Sequence, residues 1–342
     1  MPNPILAVVD RWLRLRVERI VAIVVLALLS VPQTAEAQRP AGVARIGVLE
    51  SSSPTSFPDR LDALRRGLAV LGYVEGRTVV FEYRWANGKV ADLAKLADEL
   101  VGLKVDLLVA GTTAAAQAAK SATHTIPIVF AVPADPVGSG LVASLSRPGG
   151  NVTGLSTANV EVAPKRLELL KLATAGKASR TAVLFNPADI SNVLGVSSAQ
   201  QAARRLGMSL RQIPVGSVED FEPAFAALAA EGVDSLLVAA GALTDSHPRM
   251  LAELAARSRI PAVYGARGFV DAGGLMSYSA NFADNYRRAA TYVDKILRGA
   301  KPADLPVEQA STFELVVNLK AAQALGLRMP TSVVQRADVV IE

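Results

Sequence analysis

Side chains able to attack, to exchange protons near neutral pH or to ligate metals are scarce in this 342-residue chain. It has no cysteine and two histidines, His124 and His247. Thiol nucleophiles, thiolate zinc sites, disulfide scaffolds and Cys-linked lipid anchors are therefore excluded, and a His-rich metal centre with them. His124 closes a helical stretch beside Thr125, and His247, in Asp245-Ser246-His247-Pro248, reads as part of a helix start. No Gly-x-Ser-x-Gly elbow occurs, since Gly138-Ser139-Gly140 lacks the spacing. No Gly-x-Gly-x-x-Gly follows the first apolar run, and no phosphate-binding Gly-x-x-x-x-Gly-Lys-Ser/Thr loop is present. These absences predict no catalytic residue, no cofactor and no metal. The chemistry left is that of hydroxyls, amides, single charges and backbone N–H groups, which suits reversible binding.

Such groups recur just after short apolar runs. Ser51, Ser52 and Ser53 follow Arg45 to Glu50, and Thr112 and Thr113 follow Val105 to Ala110 where a helix begins. Asp135 follows Pro127 to Ala131, and Asn186 follows Arg180 to Phe185. Gly241 lies in the Ala240-Gly241-Ala242 turn after Val233 to Ala239, and Tyr264 follows Val263. At the carboxyl edge of a parallel sheet the loops splay apart and helix N-termini point free N–H groups inward, so ligands bind there. The candidate ligand-binding residues are therefore Ser51, Ser52, Thr112, Thr113, Asp135, Asn186, Gly241 and Tyr264. Ser52, Thr112 and Thr113 suit a carboxylate, Asp135 an ammonium, and Asn186 and Tyr264 add contacts from the second half. Each type also has a structural use, in helix caps, turns or cores.

The elements that position these residues alternate strand and helix. Pro58 opens a helix with Leu61, Leu64, Leu68 and Leu71 on one face, ended by Gly72. Thr78 to Tyr83 alternates as a strand, Asp92 to Val101 is helical, and Thr112 to Ser121 is an Ala-rich helix. This βα alternation predicts an α/β fold with parallel sheets covered on both faces. The second half echoes the first in order: Val105-Asp106-Leu107-Leu108-Val109-Ala110-Gly111 by Val233-Asp234-Ser235-Leu236-Leu237-Val238-Ala239-Ala240-Gly241, and Ile126-Pro127-Ile128-Val129-Phe130 by Ile260-Pro261-Ala262-Val263-Tyr264. Arg45 to Glu50 has its counterpart in Arg180 to Phe185. Two lobes of one architecture follow. Between them Arg147-Pro148-Gly149-Gly150-Asn151-Val152-Thr153-Gly154 reads either as a crossover or as a surface loop.

The first 37 residues read as an address. Arg11, Arg14, Arg16 and Arg19 precede a run from Ile20 to Val31 that is apolar but for Ser30, and Ala35-Glu36-Ala37 supplies small residues at alternate positions. This is a secretory signal peptide with cleavage expected after Ala37. The apolar run is well short of the roughly 20 residues a spanning helix needs. The net charge of +5 is unclustered and aromatic content is 5%, so nucleic-acid binding has no footprint.

Longer segments carry a family resemblance. They include Leu71-Gly72-Tyr73-Val74-Glu75-Gly76-Arg77, Glu82-Tyr83-Arg84-Trp85, Asp135-Pro136-Val137-Gly138-Ser139-Gly140-Leu141-Val142 and Arg147 to Gly154. Further on come Lys165-Arg166-Leu167-Glu168-Leu169-Leu170, Ala272-Gly273-Gly274-Leu275-Met276-Ser277-Tyr278 and Arg287 to Leu297, continuing to Phe313 to Lys320. Over residues 44 to 342 the chain resembles the periplasmic substrate-binding proteins of ABC transporters that include tryptophan/tyrosine-type binding proteins. The resemblance implies the type I periplasmic-binding fold, two Rossmann-like lobes with parallel sheets joined by three crossovers. Lobe one would comprise residues 44–156 and 282–305, and lobe two 157–281 and 306–342. It further implies a monomeric, non-enzymatic carrier that closes on a small, amino-acid-like solute in the interlobe cleft. Its partners would be that solute and ABC permease subunits, with no nucleic acid, in the periplasm. A periplasmic sensor or receptor-docking protein of the same fold is the alternative. A sugar-responsive repressor shares the fold, but a signal peptide stands where its DNA-binding helices would be.

Overall fold

The apolar runs become the strands of two sheets. A computed structural model describes residues 42–54 and 58–342; the expected signal peptide, residues 1–37, lies outside the described residues. The first sheet is built from β1 (Ala44–Glu50), β2 (Val79–Trp85), β3 (Leu107–Ala110), β4 (Ile128–Phe130), β5 (Val152–Ser156) and the two-residue β11 (Glu308–Gln309). Its order is β11-β5-β4-β3-β1-β2, parallel throughout. Helices α1 (Pro58–Val70), α2 (Leu93–Gly102) and α3 (Thr113–Ala122) connect its strands.

The second sheet contains β6 (Arg180–Phe185), β7 (Ser209–Pro214), β8 (Ser235–Val238), β9 (Ala262–Tyr264), β10 (Met276–Ala280), β12 (Phe313–Asn318) and β13 (Val339–Ile341). The order β13-β12-β10-β9-β8-β6-β7 is parallel except where β12 runs antiparallel to β10. Its helices are α4 (Ala163–Ala173), α5 (Ile190–Arg205), α6 (Phe221–Ala230), α7 (Ala242–Asp245), α8 (Pro248–Arg257) and α9 (Gly268–Asp271). Stripped of the terminal strands, both sheets have the order 2-1-3-4-5, and the three sequence echoes fall on equivalent strands: β1 and β6, β3 and β8, β4 and β9. Each sheet buries apolar residues on both faces, Leu107 and Val109 on one side of lobe one and Leu108 and Ala110 on the other. That is why these strands read as unbroken apolar runs rather than alternating ones.

Three segments pass between the sheets. The first follows β5, at residues 157–162. Arg147 to Gly154 is therefore not a crossover: Gly149 (φ 72°) and Gly150 (φ 65°) make a turn that feeds β5 within lobe one. The second is Asn281, which caps α10 (Phe282–Leu297) by accepting from Asp284 N–H at 3.0 Å. This helix returns to lobe one and buries Tyr286, Ala289, Ala290 and Val293 with Leu64 and Leu68 of α1. The third comes after β11, whose pairing with β5 keeps residues through Gln309 in the first sheet, beyond the boundary expected at 305. The chain then finishes in lobe two with β12, α11 (Leu319–Ala324), α12 (Thr331–Val334) and β13.

Candidate functional site

The carboxyl ends of β1, β3 and β4 face those of β6 and β8 across a cleft. On the lobe-one wall, Thr112 is the N-cap of α3, its hydroxyl accepting from Ala115 N–H at 3.3 Å, and it meets the Ser51 hydroxyl at 2.5 Å. Ser52 is buried beside them, its hydroxyl without a hydrogen-bond partner among the described residues. These three gather at the positive end of a ten-residue helix, an arrangement that suits a carboxylate. Thr113 is committed to the scaffold, since its hydroxyl accepts from Ala134 N–H at 3.2 Å.

Beneath the hydroxyls lies Glu50, the last residue of β1, fully buried. Its carboxyl accepts from the Tyr286 hydroxyl at 2.5 Å. Burial pushes its pKa up to about 7, against the pull of that hydrogen bond and of the Arg60 charge. Gly111 makes the pair possible: a Cβ there would stand 2.1 Å from Glu50 Oε2 and 2.4 Å from the Tyr286 hydroxyl.

The lobe-two wall carries acids. Asp189 caps α5, Oδ1 accepting from Ser191 N–H at 2.9 Å, and burial raises its pKa. Asn192 accepts from Asn186 N–H at 3.0 Å and donates to the Ala240 carbonyl at 2.9 Å, so it ties the loops after β6 and β8 together. Asp245, at the end of α7, reaches across the cleft: its Oδ2 lies 3.7 Å from Arg60 Nη2 of α1. Both side chains are about 7% exposed or less, and the Arg60 guanidinium sits 4.7 Å over the ring of Phe282. Asp245 Oδ1 is buried and has no hydrogen-bond partner among the described residues. Burial pushes the Asp245 pKa up to about 6, with Arg60 opposing and Asp189 reinforcing the shift. Two buried acids, Glu50 and Asp245, thus feel the Arg60 guanidinium, and Asp189 lies near enough to Asp245 to raise its pKa further, so added positive charge at this wall is favoured.

The hinge side is closed by Arg166 of α4. Its Nε donates to the Tyr278 carbonyl at 2.7 Å, and its other nitrogens bond Asn159. It ties the first crossover to the strand that precedes the second. With no acid beside it, burial lowers its pKa to about 10. Next to it, Ala134 faces Asn192 and Ala240 across a cavity of about 30 Å³, while a larger one of about 440 Å³ lies between Arg60 and Phe282 of lobe one and Arg267 and Ser279 of lobe two.

The structure thus brings together Ser51, Ser52 and Thr112, and moves other expected residues out of the site. Asp135 turns one carboxylate oxygen to its own turn, Oδ1 accepting from Val137 N–H (3.2 Å) and Gly138 N–H (2.8 Å). Tyr264 belongs to the core of lobe two, its ring stacked on Phe269 at 4.9 Å. Asn186 shapes its loop, accepting from Ala188 N–H at 2.9 Å. Gly241 serves by lacking a side chain, for a Cβ would come within 2.9 Å of Asp189 Oδ2 and 2.8 Å of Asn192 Nδ2. The acids Glu50, Asp189 and Asp245 and the cation Arg60 were missed. The acids obey the same strand-end rule that selected Asp135, whereas Arg60, near the start of an amphipathic helix, carries no sequence signal.

A hinged pair of parallel α/β lobes, closing on a site of hydroxyls, acids and helix-terminal N–H groups, defines a solute-binding protein of the type I periplasmic-binding fold. The chain belongs to the family described as ABC transporter substrate binding protein, which matches residues 45–341. It is 28% identical over 283 residues to a tyrosine-binding protein of Clostridioides difficile (strain R20291), covering 83% of this chain and 81% of that protein. Among solved structures it resembles the ABC domain from Streptococcus pneumonia in complex with L-Trp (31% identity, TM-score 0.82, 88% of this chain and 100% of that one). It also resembles the ligand-free, open structure of a substrate binding protein with adhesive properties from Clostridium difficile (25% identity, TM-score 0.63, 88% and 99%).

Proposed function

We propose that this protein is the periplasmic solute-binding component of an ABC importer, exported by cleavage after Ala37, and that its solute is an aromatic amino acid. The observation that carries the reading is Asp245: a buried carboxylate oxygen without a partner, in an acid-rich wall facing a hydroxyl-lined helix N-terminus. An amino acid zwitterion matches both walls. Its carboxylate meets Ser52, Thr112 and the N–H groups of α3, and its ammonium meets Asp245 with Asp189 behind it. Arg60 bridges to lobe two when the lobes close, so a ligand touching both walls favours the closed state, the form a permease would recognise. The aromatic side chain is inferred from the tyrosine-binding and L-Trp-bound relatives. Substrate-binding proteins of this family work outside the cytoplasm, and among the described residues no helix is long and apolar enough to cross a membrane.

The test is a thermal-shift and calorimetric screen with L-Tyr, L-Trp, L-Phe, their amides and decarboxylated amines, and sugars. A free amino acid at 100 times its dissociation constant stabilises the protein by about 2.7 kcal/mol. Binding of sugars but of no amino acid would overturn the assignment, and unchanged solute uptake in a strain lacking the protein would overturn its role in import.

A further inference from the structure

Two arginines are buried among the described residues, Arg60 and Arg166, and their charges are met differently. Arg60 has the Asp245 carboxylate at 3.7 Å. Arg166 forms no ion pair among the described residues, and its hydrogen bonds go to neutral oxygens: Nε to the Tyr278 carbonyl at 2.7 Å, Nη1 to the Asn159 carbonyl at 3.3 Å and Nη2 to Asn159 Oδ1. A guanidinium carries five N–H groups, so two are left without an acceptor among the described residues. Neutral carbonyls orient the group but do not cancel its charge, and burial then opposes the charged form, which is why its pKa falls to about 10. The acids on neighbouring segments are engaged elsewhere: Asp189 Oδ1 takes the N–H and the hydroxyl of Ser191, and Glu161 feels the Asp135 charge.

Arg166 borders the cavity of about 30 Å³ that Ala134 of lobe one faces. A water needs roughly 10–15 Å³ measured this way, so the space takes one particle of water or halide size, two at most. The polar hydrogens left over around it belong to donors. Asn192, buried, uses Oδ1 to accept from Asn186 N–H and one Nδ2 hydrogen to reach the Ala240 carbonyl, which leaves the second hydrogen. Asn159 turns both its oxygens to Arg166, and its amide nitrogen donates to nothing among the described residues. Apolar side chains of β6, β8 and α5 make up the rest of the wall. Spare N–H groups from three side chains thus border one small space beside an uncancelled positive charge.

We propose that this cavity is a binding site for one monovalent inorganic anion of chloride size, held by Arg166, Asn192 and Asn159 where the first crossover enters lobe two. Size selects the ligand class. A sulfate or phosphate has five heavy atoms, and the carboxyl group of a solute brings its α-carbon with it, so neither fits a space for one or two water-sized particles. The location gives the anion a role. Arg166 and Asn192 belong to lobe two, Asn159 to the segment between the lobes and Ala134 to lobe one, so the cavity is complete only while the lobes meet. An anion that binds the complete cavity more tightly than the open one favours closure, by its differential affinity for the two states. This site is separate from the Ser52, Thr112 and Asp245 walls and does not depend on which solute they take.

The test is urea denaturation of the purified protein, with sodium gluconate replaced stepwise by sodium chloride at constant ionic strength, so that general screening is unchanged. The expected result is a midpoint that rises with chloride and saturates; at ten times its dissociation constant, chloride raises the ratio of folded to unfolded protein about elevenfold. Arg166→Met, which keeps the length of the side chain and removes its charge and N–H groups, loses that dependence. Because this variant also gives up the hinge contacts and can fail to fold, crystals of the wild-type protein grown in sodium bromide supply a second readout: an anomalous peak in the cavity beside the Arg166 Nη atoms. Equal midpoints in chloride and gluconate, a bromide crystal with water alone at that position, or a chloride dependence that survives in Arg166→Met would each overturn the proposal.

Discussion

Replacing Asp245 by Asn tests the site most directly, because it removes the charge and leaves the shape. In the ligand-free protein the Asp245 carboxyl is raised from 3.8 to about 6, a shift worth about 3 kcal/mol at 1.36 kcal/mol per unit. The cause is desolvation of a carboxylate with one oxygen 3.7 Å from Arg60 and the other unpaired. A solute ammonium bonded to that oxygen favours the ionised form, so binding releases a proton wherever the free protein holds one. If the bound form stays ionised throughout, affinity for the amino acid falls about tenfold from pH 7 to pH 5, with about half a proton released per solute at pH 6. Asp245→Asn flattens this dependence and weakens binding at pH 7 by roughly 10- to 100-fold, the loss of a charge-assisted hydrogen bond. The assay is isothermal titration at three pH values, each in two buffers of different ionisation enthalpy, so that protons are counted. Glu50, raised to about 7, titrates in the same window; it accepts from the neutral Tyr286 hydroxyl and feels the same Arg60 charge. Any slope surviving in Asp245→Asn and vanishing in Glu50→Gln belongs to Glu50. Affinity independent of pH between 5 and 7 in the wild type, or an identical slope in Asp245→Asn, would refute the placement of the ammonium.

Thr112→Ala removes both the cap of α3 and a proposed carboxylate contact; it lowers stability by about 1 kcal/mol and weakens amino-acid binding, while binding of the decarboxylated amine is unchanged, as calorimetry of the two ligands will show. Tyr264→Phe leaves affinity unchanged, whereas Tyr264→Ala costs about 3–5 kcal/mol in urea denaturation by emptying the core beside Phe269; a selective affinity loss in Tyr264→Phe would return Tyr264 to the site. Gly241→Ala drives a methyl into Asp189 and Asn192, so affinity drops and the melting temperature falls by several degrees, at about 1–3 kcal/mol. The ligand-free protein gains stability as pH falls from 7 toward 5, because Asp245 and Glu50, raised in the folded state, take up protons there that the unfolded chain binds only nearer pH 4. Those two carboxyls then favour folding, and chemical denaturation at pH 7 and pH 5 measures the difference.

Strands such as β1, β3, β4, β6, β8 and β9 were legible because both sheets are buried on both faces, which writes apolar runs such as Leu107 to Ala110 and Leu236 to Val238 directly into the sequence; β5, inside Arg147 to Gly154 and its flank, was not. The hydroxyl cradle was legible for the same reason: Ser51 stands one residue past β1 and Thr112 two past β3. Polar residues at the next loops proved ambiguous because an Asp before Pro serves its own turn as readily as a ligand, and Asp135 does so. Tyr264 was misplaced because strand-end position does not say which way the last side chain points; pleating sends it into the core with Phe269. Arg60 and Asp245 are far apart in sequence and meet only through the three crossovers, so their pairing was not written in any local pattern. Likewise β11, two residues long and exposed, carried no periodicity by which residues 306–309 could be assigned to lobe one.

The same cross-lobe contact couples binding to closure. In the closed geometry Asp245 has left water for a site that offers it a single distant cation, at a cost of about 3 kcal/mol when ionised. Opening the lobes returns it to solvent and removes that cost. Closure without solute is therefore opposed at neutral pH, by a factor of about 100 if Asp245 alone is counted. A solute ammonium supplies the missing partner only when both walls are in place, so its affinity differs between the two states, and that difference is what shifts the population. A neutral or anionic solute leaves Asp245 Oδ1 unpaired and gains nothing from it. With the ammonium placed as proposed, selection for a cationic group and control of closure would rest on one carboxylate oxygen. Asp245→Asn should close more readily when empty and discriminate less when full, a pairing of effects that small-angle scattering of the empty variant and titration with an amino acid and its deaminated analogue will measure together.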